Sequence, residues 1–152
     1  MSFRIIGLPA ETFAHLFGLS DQELANHHAV RLQAESGVPC RISLTDAEPG
    51  DQVVLINYEH HPVDTPYRSN FAIYVRQGEK TYDVIDQVPE QLRRRTLSVR
   101  GYDSKGMMVD TDLVEGRELE RAIARQFKDQ RTAYLQLHFA KPGCYAARVE
   151  RA

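Results

Sequence analysis

Apolar residues recur along this chain with two periods, and the alternation predicts paired strands with helices between them. Val53-Val54-Leu55-Ile56-Asn57-Tyr58 and Phe71-Ala72-Ile73-Tyr74-Val75-Arg76 are apolar on both faces, the pattern of strands buried on both sides. Pro62 and Pro66 bracket an irregular loop between them. Ala133–Ala140 and Cys144–Arg151 flank Pro142-Gly143 and predict a terminal hairpin. Leu97–Asp103 and Met107–Val114 predict another, joined by Ser104-Lys105-Gly106 with glycine at the left-handed position. Phe3–Leu8 reads as a short strand and Thr81–Ile85 as a weaker one. Val30–Ala34 and Cys40–Leu44 read as extended segments.

Helical spacing is clearest in Glu118–Lys128, where Leu119, Ala122, Ile123 and Phe127 form one stripe. Its acids come early and Lys128 late, which complements the helix dipole. Pro9 opens an amphipathic helix carrying Phe13, Leu16 and Phe17. Ser20 and Glu23 stand at capping-box spacing, so a second short helix should run to His28. Pro89 should start a third, ending near Arg95. Hairpins with interspersed helices predict an α+β fold. Its sheet should be mostly antiparallel or mixed and built from hairpins, with about four short-to-medium helices.

Length and composition add limits. The 152 residues are 42% apolar and 26% charged. That suits a single domain over residues 1–152, able to build a core without metal or disulfide. No apolar run approaches the ~20 residues that cross a bilayer. The start, Met1-Ser2-Phe3-Arg4-Ile5-Ile6-Gly7, lacks the features of a secretory leader, so a cytoplasmic location with reduced Cys40 and Cys144 is expected. Net charge is −2 with the signs interspersed, which gives no nucleic-acid or membrane footprint. The single basic run, Arg93-Arg94-Arg95, reads as a solvated helix end.

Candidate chemistry concentrates in the terminal hairpin. Alternation puts Leu135, Leu137 and Phe139 on one face of its first strand, with Tyr134, Gln136 and His138 on the other. The second set should face solvent or a pocket, where His138 can serve as a general base. Register decides whether Cys144 joins it. If Ala140 pairs with Cys144, thiol and imidazole share a face; if Lys141 does, the cysteine turns into the core. Buried and inert is the usual fate of a free cysteine, and it competes with a catalytic reading of Cys144 and Cys40. Arg41, Arg68 and Arg100, with Tyr58, Tyr67 and Tyr102, form a set suited to a carboxylate or phosphate. Against that, Arg100 falls opposite Asp110 if Asp103 pairs with Met107, and Tyr58 suits a core.

Phosphate-cradling glycine loops and Gly-x-Ser-x-Gly elbows are absent, so no cofactor is expected. Cys40, His60, His138 and Cys144 lack metal-ligand spacing, so no metal is expected either.

Three stretches carry a family likeness: Pro39-Cys40-Arg41-Ile42-Ser43-Leu44-Thr45-Asp46-Ala47; Asn57-Tyr58-Glu59-His60 with Pro66-Tyr67-Arg68; and His138-Phe139-Ala140-Lys141-Pro142-Gly143-Cys144-Tyr145. Together they resemble a bacterial family of short proteins, domain of unknown function family 1203. The resemblance implies one complete domain and brings no activity or catalytic residue with it.

Three functions therefore compete. The first is a small-molecule module, catalytic or not, binding an anion through Arg41, Tyr58, Tyr67, Arg68 and His138. The second is a thiol-dependent enzyme or redox protein using Cys144 or Cys40 with His138. The third is a non-catalytic homodimer formed through an edge strand such as Cys144–Arg151.

Overall fold

The computed structural model describes residues 1–152. The chain begins with β1 (Phe3–Ile6), α1 (Ala10–Phe13) and a 3-10 segment at Ala14–Gly18. Then come α2 (Asp21–Asn26) and β2 (Ala29–Gln33). The capping box forms: the Glu23 amide donates to the Ser20 hydroxyl at 3.2 Å, and the Ser20 amide to the Glu23 carboxylate at 3.5 Å. Two-residue strands β3 (Val38–Pro39) and β4 (Asp46–Ala47) precede the long pair β5 (Gln52–His61) and β6 (Ser69–Val75). β7 (Asp83–Ile85) and α3 (Glu90–Arg93) lead to the hairpin of β8 (Thr96–Tyr102) and β9 (Met108–Glu115). A 3-10 turn at Gly116–Glu118 enters α4 (Leu119–Phe127). The last hairpin is β10 (Tyr134–Phe139) and β11 (Tyr145–Arg151).

The extended segment expected at Cys40–Leu44 is instead a turn. Only Cys40 bridges to a strand, at Tyr74, and Leu44 takes a φ of +54°. Carbonyl and amide groups of this turn are claimed from both sides, which explains why it leaves the sheet. Arg41 N–H donates to Tyr74 O at 3.0 Å, and Leu8 N–H to Arg41 O at 2.8 Å.

The strands form an α+β architecture of antiparallel sheets. One has six strands in the order β7-β1-β11-β10-β8-β9, and one has three in the order β2-β5-β6. The α4 stripe of Leu119, Ala122, Ile123 and Phe127 packs on the large sheet, against Leu97, Val99, Leu135, Leu137 and Val149. The small sheet builds a second core with Phe13, Leu16 and Leu24 from the N-terminal helices. No helix is long and apolar enough to cross a membrane.

Two expectations about strand position need correction. β11 is hydrogen-bonded to β1 on one side and β10 on the other, so Cys144–Arg151 offers no free edge for a dimer. Arg100 does not face Asp110. The Asp103–Met107 closure forms, but a bulge that skips Val109 pairs Arg100 with Thr111 and Gly101 with Asp110. Asp110 instead meets Arg125 from α4 at 2.8 Å.

Candidate functional site

A bulge also decides the terminal hairpin. Leu137 pairs with Ala147 but His138 pairs with Tyr145, so Ala146 is the extra residue. Neither simple register holds. Phe139 N–H donates to Cys144 O at 2.9 Å, and Cys144 lies in the same apolar core as Phe139. His138 points the other way, with its ring 5.9 Å from that of Tyr145. Thiol and imidazole are therefore on opposite faces.

On the Phe139 side lies a cavity of about 530 Å³. Arg41 reaches it from the clasped turn, Cys144 from the start of β11, Arg95 from the end of α3, and Lys141 from the hairpin tip. Leu55, Ala72 and Tyr74 of the small sheet supply an apolar wall, and no carboxylate lines the cavity. A larger groove of about 670 Å³ runs along α4, but its charges are of both signs and Asp112 and Arg125 pair with each other there.

Arg41 is the unusual member. It is 1% exposed, yet no carboxylate pairs with it. Nε–H donates to Tyr145 O at 2.7 Å, Nη1–H to Pro39 O, and Nη2–H to Cys144 Sγ at 2.9 Å. Its guanidinium also stands 4.9 Å from the Phe139 ring centroid. Burial pushes the guanidinium below its ordinary value, and the nearby sulfurs oppose that. Each of its three nitrogens makes one hydrogen bond, but no carboxylate answers its charge.

Arg95 and Lys141 add to the same sign. Arg95 shares the Asp46 carboxylate with Arg94, at 2.9 and 3.0 Å, and Arg94 also reaches Glu90 at 4.0 Å. Its guanidinium lies 5.2 Å from the Phe139 centroid, so Arg41 and Arg95 both stack on one ring. Lys141 is exposed at the mouth. Cys40 takes no part: it is fully buried, and burial, reinforced by Glu79, pushes its thiol up to about 12.

The opposite face of β10 is buried where solvent or a pocket was expected. Tyr134, Gln136 and His138 are 7%, 2% and 1% exposed, covered by the end of β5. Hydrogen bonds orient three imidazoles. Gln136 Nε2 donates to His60 O at 2.8 Å, which turns Oε1 toward His60 Nδ1 at 3.0 Å, so that nitrogen carries the proton. His61 Nδ1–H donates to Tyr67 O at 2.9 Å, and its Nε2 lies 2.6 Å from Tyr134 OH. His138 Nδ1 donates to Gly143 O at 3.0 Å, which leaves Nε2 buried without a partner. Burial lowers His138 to about 3, and Arg100, His60 and His61 add to the effect. It is a neutral ring locked among aromatics, 5.1 Å from His60.

The candidate binding set thus divides. Arg41 is in the cavity. Tyr58 packs in the second core, 5.3 Å from the Phe13 ring. Tyr67 and Tyr102 join the aromatic cluster, 6.1 Å apart, and Tyr102 lies 4.1 Å from His61. Arg68 is exposed and pairs with Glu59 at 3.1 Å. Arg100 bonds Ser98 Oγ at 3.1 Å and has no carboxylate partner. The sequence reading passed over Arg95 because it sits in a charge run, and Lys141 because it sits in a turn. No group of three or more His, Cys, Asp or Glu side chains comes together to hold a metal ion.

Residues 37–151 match the model of a family described as "Protein of unknown function (DUF1203)". The match leaves out β1, although that strand lies inside the large sheet. No curated protein and no solved structure matches the chain.

Proposed function

Starting from a chain that belongs to the DUF1203 family, whose description assigns no activity, we propose that the protein binds a small organic anion in the Arg41 cavity. One observation carries the reading: a guanidinium 1% exposed, without a carboxylate, in a cavity lined by two further cations and no acid. Removing an ion from water costs several kcal/mol unless a counter-charge returns the energy. A bound anion supplies that charge where water is scarce and the attraction is strong. Arg41 is 1% exposed and each of its nitrogens already makes a hydrogen bond, so it acts chiefly through its field. Lys141, exposed at the mouth, presents the contacting N–H groups, while Arg95, whose terminal nitrogens already bond Gln91 O, Gly37 O and Asp46, adds its field. The wall of Leu55, Ala72 and Tyr74 favours a carboxylate with an apolar body over a bare inorganic ion.

The test is thermal unfolding of the whole protein with benzoate, octanoate, phosphate or sulfate added singly. At a hundredfold excess over Kd, binding adds about 2.7 kcal/mol, or a Tm rise of roughly 5–10 °C for a chain of this size. Benzoate or octanoate should act at lower concentration than phosphate, and Lys141→Gln should weaken the effect. An unchanged Tm with every anion would sink the reading.

A further inference from the structure

We propose that the anion of this cavity is the free C-terminal carboxylate of a short extended peptide, whose backbone pairs with the open edge of β6 at Ala72. The proposal rests on the anion-binding reading and adds a ligand class to it.

The cavity wall offers main-chain groups as well as side chains. β6 is hydrogen-bonded to β5 on one side only. On its other side Tyr74 O accepts the Arg41 N–H at 3.0 Å, and Cys40 bridges to Tyr74. Alternate residues of a strand point their N–H and C=O the same way, so those of Ala72 also face away from β5. The partner strand agrees. Asn57, opposite Ala72, gives its N–H to His28 O at 3.1 Å, on the β2 side. The turn that covers the edge at Tyr74 does not extend to Ala72, whose N–H and C=O meet no protein group on that side. Ala72 is half-buried and lines the cavity. An open strand edge is a template for one more extended segment.

Peptide chemistry answers the rest of the lining. Lys141 at the mouth contacts the carboxylate, while Arg41 and Arg95 add their field. Leu55, Phe71 and Tyr74 receive an apolar last side chain, which covers part of a Phe71 that is 45% exposed. A fatty acid supplies the carboxylate but lays hydrocarbon against Ala72, leaving its N–H and C=O with neither water nor partner. A free amino acid brings an ammonium among three cations, and no acid in the lining answers it. An amide in place of that ammonium removes the charge and supplies the groups that Ala72 lacks. At about 530 Å³ the cavity takes only the last few residues of a chain.

Calorimetric titration of the unmodified protein separates these parts with four compounds. They are N-acetylglycylleucine, its C-terminal amide, its ester analogue in which both N–H groups become oxygen, and free leucine. The acid should bind. Losing the carboxylate or the N–H donors should each weaken binding about tenfold or more, and leucine should be weakened at least as much. Hydrogen exchange at the Ala72 amide should slow when the acid is bound. Lys141→Gln should weaken the acid several-fold. If the ester matches the acid, or saturating acid leaves Ala72 exchange unchanged, the strand pairing is overturned while anion binding stands. If the C-terminal amide matches the acid, carboxylate capture is overturned and the anion-binding reading with it. No binding of the acid overturns the peptide, and the Tm response to octanoate and benzoate then decides the anion site separately. A dimer whose Ala72 amide is already protected would assign the edge to a second copy and overturn the proposal as well.

Discussion

At Gly116 a Cβ would lie 1.9 Å from the Leu92 carbonyl oxygen and 2.7 Å from the Cα of Arg93. These are backbone atoms of α3 and cannot rotate aside. Gly116 N–H also donates to Arg95 O at 2.8 Å, so this contact fixes the segment that carries the cavity's second cation. Gly116→Ala is therefore expected to cost about 1–3 kcal/mol through overpacking and to weaken anion binding as Arg95 shifts. Gly18→Ala, where nothing lies within 4 Å of an added Cβ, is the control and should change stability by less than about 0.5 kcal/mol. Urea denaturation of both variants checks the contrast, and equal effects would refute the role given to Gly116. None of this was legible from glycine's place after a strand. Arg95 was equally hidden, because a run of three arginines looks the same whether its last member is solvated or turned inward. Arg41 and Cys144 were visible as candidates, but their partnership joins residues 103 apart in sequence.

Elements were more legible than contacts, because burial periodicity is a local property. The α4 stripe, the two late hairpins and the Ser20–Glu23 box were all readable from spacing, and all are present; β5 and β6 also form, but β6 is an edge strand with Phe71 45% exposed and is not buried on both sides. The capping box can be weighed. Ser20→Ala removes the acceptor for the Glu23 amide at the start of a helix of only six residues, and should cost about 1 kcal/mol. Ser20→Asp, which retains an acceptor, should restore most of it; an alanine variant as stable as the parent would show that the box carries no weight. What spacing could not reveal was the pair of bulges. Each inserts one residue, Val109 in β9 and Ala146 in β11, and each reverses a pairing beyond it. Arg100 loses Asp110 through the first. Cys144 and His138 part through the second, so the thiol site and the imidazole cluster sit back to back instead of forming one centre.

Across the whole molecule, the two sheets meet through those imidazoles, and this ties global stability to pH. His138 has a folded value near 3 against about 6.5 when exposed, because burial and the facing Arg100, His60 and His61 all oppose its charging. His60 is shifted the same way, chiefly by burial. Between the two values the unfolded chain binds a proton that the folded chain refuses. Stability from this source is thus complete above about pH 6.5 and falls as acid is added, by up to about 1.4 kcal/mol per pH unit for His138 alone. The upper part of that window lies above the range where carboxylates titrate, so the effect can be isolated between roughly pH 4.5 and 6.5. His138→Asn keeps an N–H donor for the Gly143 carbonyl and removes the ionisation. It should lower stability at neutral pH, since the ring's packing against His60 and Tyr145 is lost. Its stability should nonetheless change less steeply with pH. Urea unfolding of both proteins across that range gives the two slopes, and equal slopes would mean that His138 is not held neutral by the fold.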